Sequence, residues 1–188
     1  VLIPMAGAGT RFANAGYTFP KPLIEVNGKP MLQHILERAI NQGFQNFVFS
    51  INYLGDVIED YFGDGSQFGV KINYLKEKKP LGTAGSLSLL DPNKLQTILI
   101  TNGDVLSTLN YRDMIKFHNA NDSALTIAIR QHEIQNPFGV LEISGKYLTS
   151  YREKPVYRSY INAGIYVLEP KFLKFIKRNT RVDMPDIV

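Results

Sequence analysis

The chain has 188 residues, of which 44% are hydrophobic, and it contains 11 Phe, 10 Tyr and no Cys. This length suits one sizeable core, and the apolar content excludes a disordered protein. The lack of cysteine excludes disulfide frameworks and thiolate chemistry. No apolar run approaches the roughly 20 residues that a membrane helix needs. The net charge of +4 comes without a basic stripe, so we expect a small polyanionic ligand rather than nucleic acid or a membrane as partner.

Short β-branched apolar runs alternate with amphipathic segments along the chain. The runs predict strands at 1–5, 46–51, 70–75, 97–101, 124–130, 139–143 and 163–168. The amphipathic segments predict helices at 30–40, 55–63, 111–120 and 170–178. This alternation predicts an α/β fold with a Rossmann-like, mostly parallel sheet flanked by helices. We expect a single domain spanning 1–188, from which the turn-rich residues 131–160 form an excursion.

A glycine-rich loop, "MAGAGTRF" at 5–12, follows the first predicted strand. It fails the dinucleotide-binding fingerprint, because Phe12 stands where the third glycine would be, and it is not a Walker A loop. Backbone N–H groups at Gly7, Ala8 and Gly9 can nevertheless approach phosphate oxygens, and Arg11 can clamp a phosphate through two hydrogen bonds. The alternative is an ordinary loop without a ligand.

Two charged residues stand near this loop in the predicted fold. Lys21, in "FPKPL", lies between two prolines that restrict the backbone on both sides, which favours a binding role over a solubility charge. Asp104, in "TNGDV", follows the predicted strand 97–101, and ligands in such sheets bind at the carboxyl ends of the strands. The alternatives are a surface lysine in a proline turn and an aspartate that forms a turn.

These motifs, together with later blocks, carry a family resemblance. The chain contains "GAGTRF…FPKPLIEVNGKPML", "EKKPLGTAGSL" at 77–87, "NGDV" at 102–105, "FGVLEI" at 138–143, "EKP" at 153–155 and "INAGIYVLEP" at 161–170. In this order the blocks resemble the sugar-nucleotide pyrophosphorylases, or sugar-1-phosphate nucleotidyltransferases, over nearly the whole chain. One departure is Pro4-Met5, where the family usually has Leu-Ala.

The resemblance implies an enzyme that needs no covalent intermediate. A sugar-1-phosphate oxygen would attack the α-phosphorus of a nucleoside triphosphate in line, and pyrophosphate would leave, so the protein positions groups and neutralises charge. By the same resemblance Arg11 holds the β and γ phosphates, and Lys21 acts at the α-phosphate. Asp104 binds Mg²⁺, which prefers carboxylate and phosphate oxygens.

The resemblance also implies the substrate contacts. Lys154 would bind the sugar phosphate, and Glu153 and Asn162 would form hydrogen bonds with sugar hydroxyls. The backbone at Gly139 would add a contact. Residues expected on the nucleotide side are Ala6, Gly7, Gly9, Thr10, Glu77, Gly82 and Thr83. Alternatives are a surface ion pair for Glu153 and Lys154 and a strand bulge around Asn162.

Glu77 suggests which base is bound. Many uridylyl and thymidylyl members have Gln at this place, five residues before the first glycine of "LGTAG", the stretch that would form the wall against the base. An ionised carboxylate only accepts hydrogen bonds, and guanine offers two adjacent donors. Glu77 therefore favours GTP, provided that its side chain does not point to solvent; the sequence does not identify the sugar.

Several alternatives and side expectations remain open. The rival functions are a catalytically silent nucleotide-sugar-binding regulator, a transferase acting on a phosphate such as phosphocholine, and a related glycosyltransferase. The family's second metal-binding aspartate would lie beyond residue 188, so we expect the chain to lack the C-terminal part of a longer, cytoplasmic protein. Whether that protein is a homo-oligomer stays open. The three histidines do not cluster, which indicates non-catalytic roles, and Asp183 and Asp186 are expected to be turn and cap residues.

Overall fold

The computed structural model describes residues 1–5, 20–52 and 54–188. The strands are β1 (Leu2–Pro4), β2 (Glu25–Val26), β3 (Lys29–Pro30), β4 (Asn46–Ile51), β5 (Lys71–Lys76), β6 (Ile98–Thr101), β7 (Leu125–Gln135), β8 (Val140–Ser144), β9 (Tyr147–Arg152) and β10 (Val156–Leu168). The α-helices are α1 (Met31–Asn41), α2 (Gly55–Phe62), α3 (Gly82–Gly85) and α4 (Tyr111–Ala120). Short 3-10 helices cover Lys21–Leu23, Ser66–Phe68, Ser86–Leu89, Pro92–Lys94, Pro170–Phe175 and Met184–Ile187. Within the described ranges, no helix combines the length and apolar composition that crossing a bilayer requires.

A six-stranded sheet forms the centre of the fold, in the order β5-β4-β1-β6-β10-β7. Strand β4 pairs in parallel with β1 and β5, β1 also pairs in parallel with β6, and β10 is antiparallel to β6. Parallel neighbours need crossover connections, and α1 and α2 lie in the chain between β1 and β4 and between β4 and β5. The predicted fold class, a mostly parallel sheet flanked by helices, is confirmed.

The two strands at the middle of the sheet, β1 and β6, are buried along their whole length. All residues of β1 and β6 are buried, and so are the last five residues of β10. Strands covered on both faces read as continuous apolar runs rather than as alternating ones. This is why "LIP" and "ILIT" are recognisable in the sequence although neither shows a period of two.

The helices pack on this sheet through one apolar face. In α1 the buried side chains are Leu32, Ile35, Leu36 and Ala39, which have the i, i+3, i+4, i+7 spacing of an amphipathic helix. Helix α4 begins at a side-chain cap, because Asn110 accepts a hydrogen bond from the N–H of Asp113 at 3.1 Å. Such a cap satisfies one of the free donors of the first turn.

The described chain divides into two compact units. The first comprises 1–127 and 164–188, and the second comprises 128–163. The second unit contains the β8–β9 hairpin, whose antiparallel pairing runs from Val140 opposite Arg152 to Ser144 opposite Tyr147. It includes the turn-rich residues 131–160 that the sequence sets apart.

Some elements differ from the predictions for physical reasons. Strands β2 and β3 pair across Asn27 and Gly28, whose φ angles are 52° and 77°; an Asn-Gly turn signals a hairpin, but two-residue strands show no periodicity. The segment predicted as a helix at 170–178 is a 3-10 helix over Pro170–Phe175. Strand β10 begins at Val156, well before the predicted start. The prediction missed this part of the strand because its first seven residues are exposed and contain no apolar run.

Replacing Phe62 with alanine should destabilise the fold strongly. Phe62 is fully buried, and its ring packs edge-to-face on Phe49 with centroids 5.4 Å apart. We expect Phe62→Ala to lower the free energy of unfolding by about 3–5 kcal/mol, through lost burial and a residual cavity. In urea denaturation the matched control Phe117→Ala, at a ring that is 61% exposed, should cost less than about 1 kcal/mol. Equal costs for the two variants would contradict this packing.

Candidate active site

The carboxyl ends of β1 and β6 lie side by side, because the two strands pair in parallel. The chain leaves β6 through residues 102–104, and the N–H of Gly103 donates to the carbonyl of Pro4 at 3.4 Å. A Cβ built on Gly103 would lie only 2.8 Å from the sulfur of Met5, so glycine lets the two segments approach without displacing that side chain. Asp104 is thereby placed at the edge where α/β sheets bind ligands.

Lys21 forms an ion pair with Asp104, its ammonium group donating a hydrogen bond to Oδ2. The two side chains are 33% and 37% exposed, so a ligand can reach both. Lys21 begins the 3-10 helix Lys21–Leu23, which is anchored by the buried Pro22 and Leu23. The structure therefore brings together two of the three predicted catalytic residues, which are 83 positions apart in the chain.

The glycine-rich loop itself lies outside the described residues. This holds for five of the predicted contacts, namely Ala6, Gly7, Gly9, Thr10 and Arg11. Their roles stay predictions. The first described range ends at Met5, which lies beside Gly103. The next range begins at Pro20, directly before Lys21.

Asp104 fits a magnesium ligand by its chemistry. The described ranges contain no group of three His, Cys, Asp or Glu side chains that could hold a metal ion. Mg²⁺ does not require such a group, since it is commonly bound by one or two carboxylates together with substrate phosphates and water. The partly exposed carboxylate of Asp104 supplies the hard oxygen ligands that this mode of binding needs.

Glu77, the predicted base contact, is 9% exposed and turned into the protein. Its Oε1 accepts a hydrogen bond from the hydroxyl of Ser50 at 2.6 Å, and its Oε2 accepts one from the N–H of Leu81 at 2.8 Å. The side chain does not point to solvent, yet each oxygen already has a partner. Because a carboxylate oxygen can accept a second hydrogen bond, a contact between Glu77 and the base stays a prediction.

Gly82 and Thr83, expected at the wall against the base, belong to α3 and contact a distant segment. Gly82 has a φ of 78°, and a Cβ on it would lie 2.5 Å from the carbonyl oxygen of Val182, so a larger residue is strained there. The N–H of Thr83 donates to Oδ1 of Asp183 at 2.9 Å, across 100 positions of sequence. The predicted wall is therefore held in place by residues near 182.

Of the sugar-side residues, the structure brings Gly139 and Glu153 together at Tyr151 in the second unit. The hydroxyl of Tyr151 donates to the carboxylate of Glu153, and this bond raises the pKa of Tyr151. A Cβ built on Gly139 would lie 2.5 Å from the Tyr151 hydroxyl oxygen. Lys154 follows in a turn with a φ of 43°, and Asn162 is an exposed residue of β10. Tyr151 could not be found from the sequence, because nothing distinguishes it from other tyrosines in exposed strands.

The buried histidine has structural partners. His118 is 1% exposed; its Nδ1 lies 2.8 Å from the hydroxyl oxygen of Thr126, and its Nε2 lies 3.3 Å from a carboxylate oxygen of Glu169. His34 contacts the carbonyl of Val26 at 2.7 Å through Nε2. These three contacts tie helices α4 and α1 to neighbouring segments.

Asp183 has the expected capping contact and, in addition, a contact with Thr83 that the sequence did not indicate. Asp186 accepts the N–H of Asp183 at 2.9 Å, which is the predicted capping role. The contact of Asp183 with Thr83 was missed, because nothing in "VDMPDIV" points to a partner so far back in the chain.

The sequence profile of the nucleotidyl transferase family matches residues 1–186. The chain belongs to this family. Among its members are the sugar-nucleotide pyrophosphorylases, and the relatives named below place the chain with them, as its motifs indicated.

Two curated relatives illustrate how similar the chain is to known nucleotidyltransferases. Mannose-1-phosphate guanylyltransferase catalytic subunit beta of Danio rerio is 33% identical over 184 residues, which cover 94% of this chain and 51% of that protein. The UTP–glucose-1-phosphate uridylyltransferase of Synechocystis is 32% identical over 203 residues, which cover 97% of this chain and 52% of that protein. The chain thus spans about half the length of the curated relatives it matches.

Two solved structures share the fold. HddC from Yersinia pseudotuberculosis, crystallised with GMP-PN, has a TM-score of 0.72 at 26% identity, covering 97% of this chain and 81% of that one. A putative glucose-1-phosphate thymidylyltransferase from Bacillus anthracis, in complex with sucrose, has a TM-score of 0.75 at 22% identity, covering 99% of this chain and 79% of that one. The second likeness concerns the fold alone.

Breaking the Lys21–Asp104 pair should hardly change stability. Because both side chains are partly exposed, we expect Lys21→Met and Asp104→Asn each to shift the free energy of unfolding by less than about 1 kcal/mol in urea denaturation. Lys29→Met, which breaks the exposed pair with Glu37, is the matched control and should behave alike. A loss of several kcal/mol at Lys21 or Asp104 alone would mean that the pair serves the fold.

Proposed function

We propose that this protein condenses a nucleoside triphosphate with a sugar-1-phosphate to give a nucleoside-diphosphate sugar and pyrophosphate. The observation that carries the proposal is the meeting of Lys21 and Asp104 at the carboxyl edge of β1 and β6, in a chain that belongs to the nucleotidyl transferase family. Phosphoryl-type transfer depends on positioning and charge neutralisation, and a cation beside a carboxylate suits it. A location in the cytoplasm is part of the same proposal.

The proposed reaction is a single in-line displacement. An oxygen of the sugar-1-phosphate attacks the α-phosphorus and forms a new P–O bond, while the bond to the bridging oxygen breaks and its electron pair leaves with pyrophosphate. Lys21 neutralises negative charge on the α-phosphate oxygens in the transition state. Arg11 binds the β and γ phosphates and stabilises the departing pyrophosphate.

Asp104 has two roles in this proposal. It would hold Mg²⁺, which supplies Lewis-acid neutralisation of phosphate charge when bound. It also orients the Lys21 ammonium through their ion pair, which keeps that cation at the edge before substrate arrives. Positioning of this kind removes part of the entropic barrier to the displacement.

The sugar phosphate is proposed to bind residues of the second unit. Lys154 binds the phosphate, Glu153 accepts hydrogen bonds from sugar hydroxyls, Asn162 donates to or accepts from them, and the backbone at Gly139 adds a contact. Tyr151 supports Glu153, because its hydroxyl donates to that carboxylate. This bond leaves the other carboxylate oxygen to accept from a sugar hydroxyl.

GTP is the nucleotide that we propose, on the chemistry of Glu77. The ring N–H and exocyclic amine of guanine would donate to the two oxygens, whereas uracil and thymine offer one donor. The inward orientation of Glu77 supports this in part, since the carboxylate is fixed by Ser50 and Leu81. The Danio rerio relative is named as a guanylyltransferase and HddC was crystallised with GMP-PN, while the Synechocystis relative is a uridylyltransferase.

A pyrophosphate-release assay on the full natural chain tests the activity and the base together. With Mg²⁺ and a panel of nucleoside triphosphates and sugar-1-phosphates, we expect release that is fastest with GTP and abolished by EDTA. Glu77→Gln should lower the kcat/KM ratio of GTP to UTP by roughly tenfold or more, because its amide offers guanine an unmatched donor. No release with any pair would refute the enzyme, and an unchanged ratio would refute only the role of Glu77.

Arg11→Ala should act mainly on turnover. Its contact should strengthen as pyrophosphate leaves, so we expect kcat to fall by about 10²-fold while KM for the sugar-1-phosphate changes little. Lys116→Ala, which removes an exposed cation paired with Asp113, is the control and should retain the rate. An unaffected kcat in Arg11→Ala would exclude the role in pyrophosphate departure.

A further inference from the structure

Residues 81–85, which we name the base-side loop, are bound by residues 180–184, which we name the clamp segment. The N–H groups of Ala84 and Gly85 both donate to the carbonyl of Val182 at 3.0 Å, and the N–H of Val182 donates back to the carbonyl of Leu81 at 2.9 Å. A Cβ built on Gly85 would lie 2.5 Å from the carbonyl oxygen of Thr180. The two backbones are therefore so close that a side chain at position 85 would collide with the clamp segment.

Asp183 adds a side-chain contact to this backbone clamp. Its Oδ1 accepts the N–H of Thr83 at 2.9 Å. The hydroxyl of Thr83 accepts the N–H of Met184 at 2.7 Å and lies 3.4 Å from the same Oδ1, so its proton is directed towards the carboxylate. On the base-side loop these contacts use the backbone N–H and the hydroxyl of Thr83, the middle residue of the loop.

The hydrogen bond to the carboxylate of Asp183 differs from the backbone contacts of Val182 in two ways: it is stronger, and it depends on which residue stands at position 183. The Val182 contacts use backbone atoms and would survive a change of side chain, whereas the Thr83 contact needs an acceptor at position 183. A hydrogen bond to an ionised acceptor is roughly twice as strong as a neutral one. Position 183 is therefore where a side chain controls the geometry of the base-side loop.

We infer that Asp183 is a positioning residue for the nucleotide, which acts by fixing Thr83 and with it the surface that the base-side loop presents to the base. The inference rests on the proposed function, because it assigns the loop to that nucleotide site. With the N–H groups of Leu81, Thr83, Ala84 and Gly85 bound inside the protein, the loop is a preformed surface. Preformed sites avoid the cost of ordering a loop on binding.

Kinetics and hydrogen exchange on the full natural chain test the role of Asp183. We expect Asp183→Ala to raise KM for the nucleoside triphosphate about tenfold, because the Thr83 N–H loses its acceptor, while KM for the sugar-1-phosphate stays unchanged. Asp183→Asn keeps an acceptor oxygen and should restore KM to near the wild-type value. Exchange of the amides at 83–85 should be faster in Asp183→Ala than in wild type.

Asp91→Ala is the matched control, since Asp91 also accepts a backbone N–H, that of Asn93 at 3.1 Å, but lies outside both segments. It should leave KM for both substrates and exchange at 83–85 unchanged. If Asp183→Ala does not fold, Asp183→Glu, which displaces the carboxylate by one methylene, serves instead with the same expectation.

The outcomes separate the two proposals. A wild-type chain that turns over, with an unchanged nucleotide KM in Asp183→Ala, overturns the positioning role and leaves the proposed function intact. Equal changes in both KM values overturn it as well, because they indicate a general structural effect. A wild-type chain without turnover on any substrate pair refutes the proposed function, and the positioning role falls with it.

Discussion

The parallel pairing of β1 with both β4 and β6 is the constraint on which the candidate site depends. Parallel strands bring their carboxyl ends to one edge, so Met5, Ser50 and Asp104 must gather there. The N–H of Met5 donates to the carbonyl of Ser50 at 2.9 Å, which extends the pairing past the end of β1. The carboxylate of Asp104 and the hydroxyl that fixes Glu77 thus belong to one row of strand ends.

The Lys21–Asp104 pair and the surroundings of Glu77, which both lie at this edge, differ in how firmly their side chains are held. Lys21 and Asp104 form an ion pair that is partly exposed, so each can exchange its partner for a ligand at small cost to the fold. On the other side Glu77 is buried and bonded twice, and the base-side loop is bound by backbone contacts. Exchangeable charges suit phosphates, whose charge changes during transfer, while a fixed surface suits a base, which must be discriminated by shape and hydrogen bonds.

Much of the fold could be predicted from the sequence, because it depends on local patterns. Buried strands such as β6 are continuous apolar runs, and α1 has the spacing of an amphipathic helix. The position of Asp104 followed from the rule that ligands bind at strand ends. The ion pair of Lys21 with Asp104 and the contact of Thr83 with Asp183 could not be predicted, since each joins residues far apart in the chain. The inward orientation of Glu77 was also hidden, because it depends on the buried hydroxyl of Ser50.

The positive φ of Gly82 and the contacts of its loop with Val182 have a consequence for how the protein is made. Strands β1, β4, β5 and β6 are complete once residue 101 has been synthesised, so the parallel core can assemble early on the ribosome. The base-side loop cannot, because the acceptors of the N–H groups of Thr83, Ala84 and Gly85 lie about 100 residues further along the chain. Contacts of such long sequence separation form late and slowly. A nascent chain would therefore possess a folded sheet well before it possessed a finished pocket for the nucleobase.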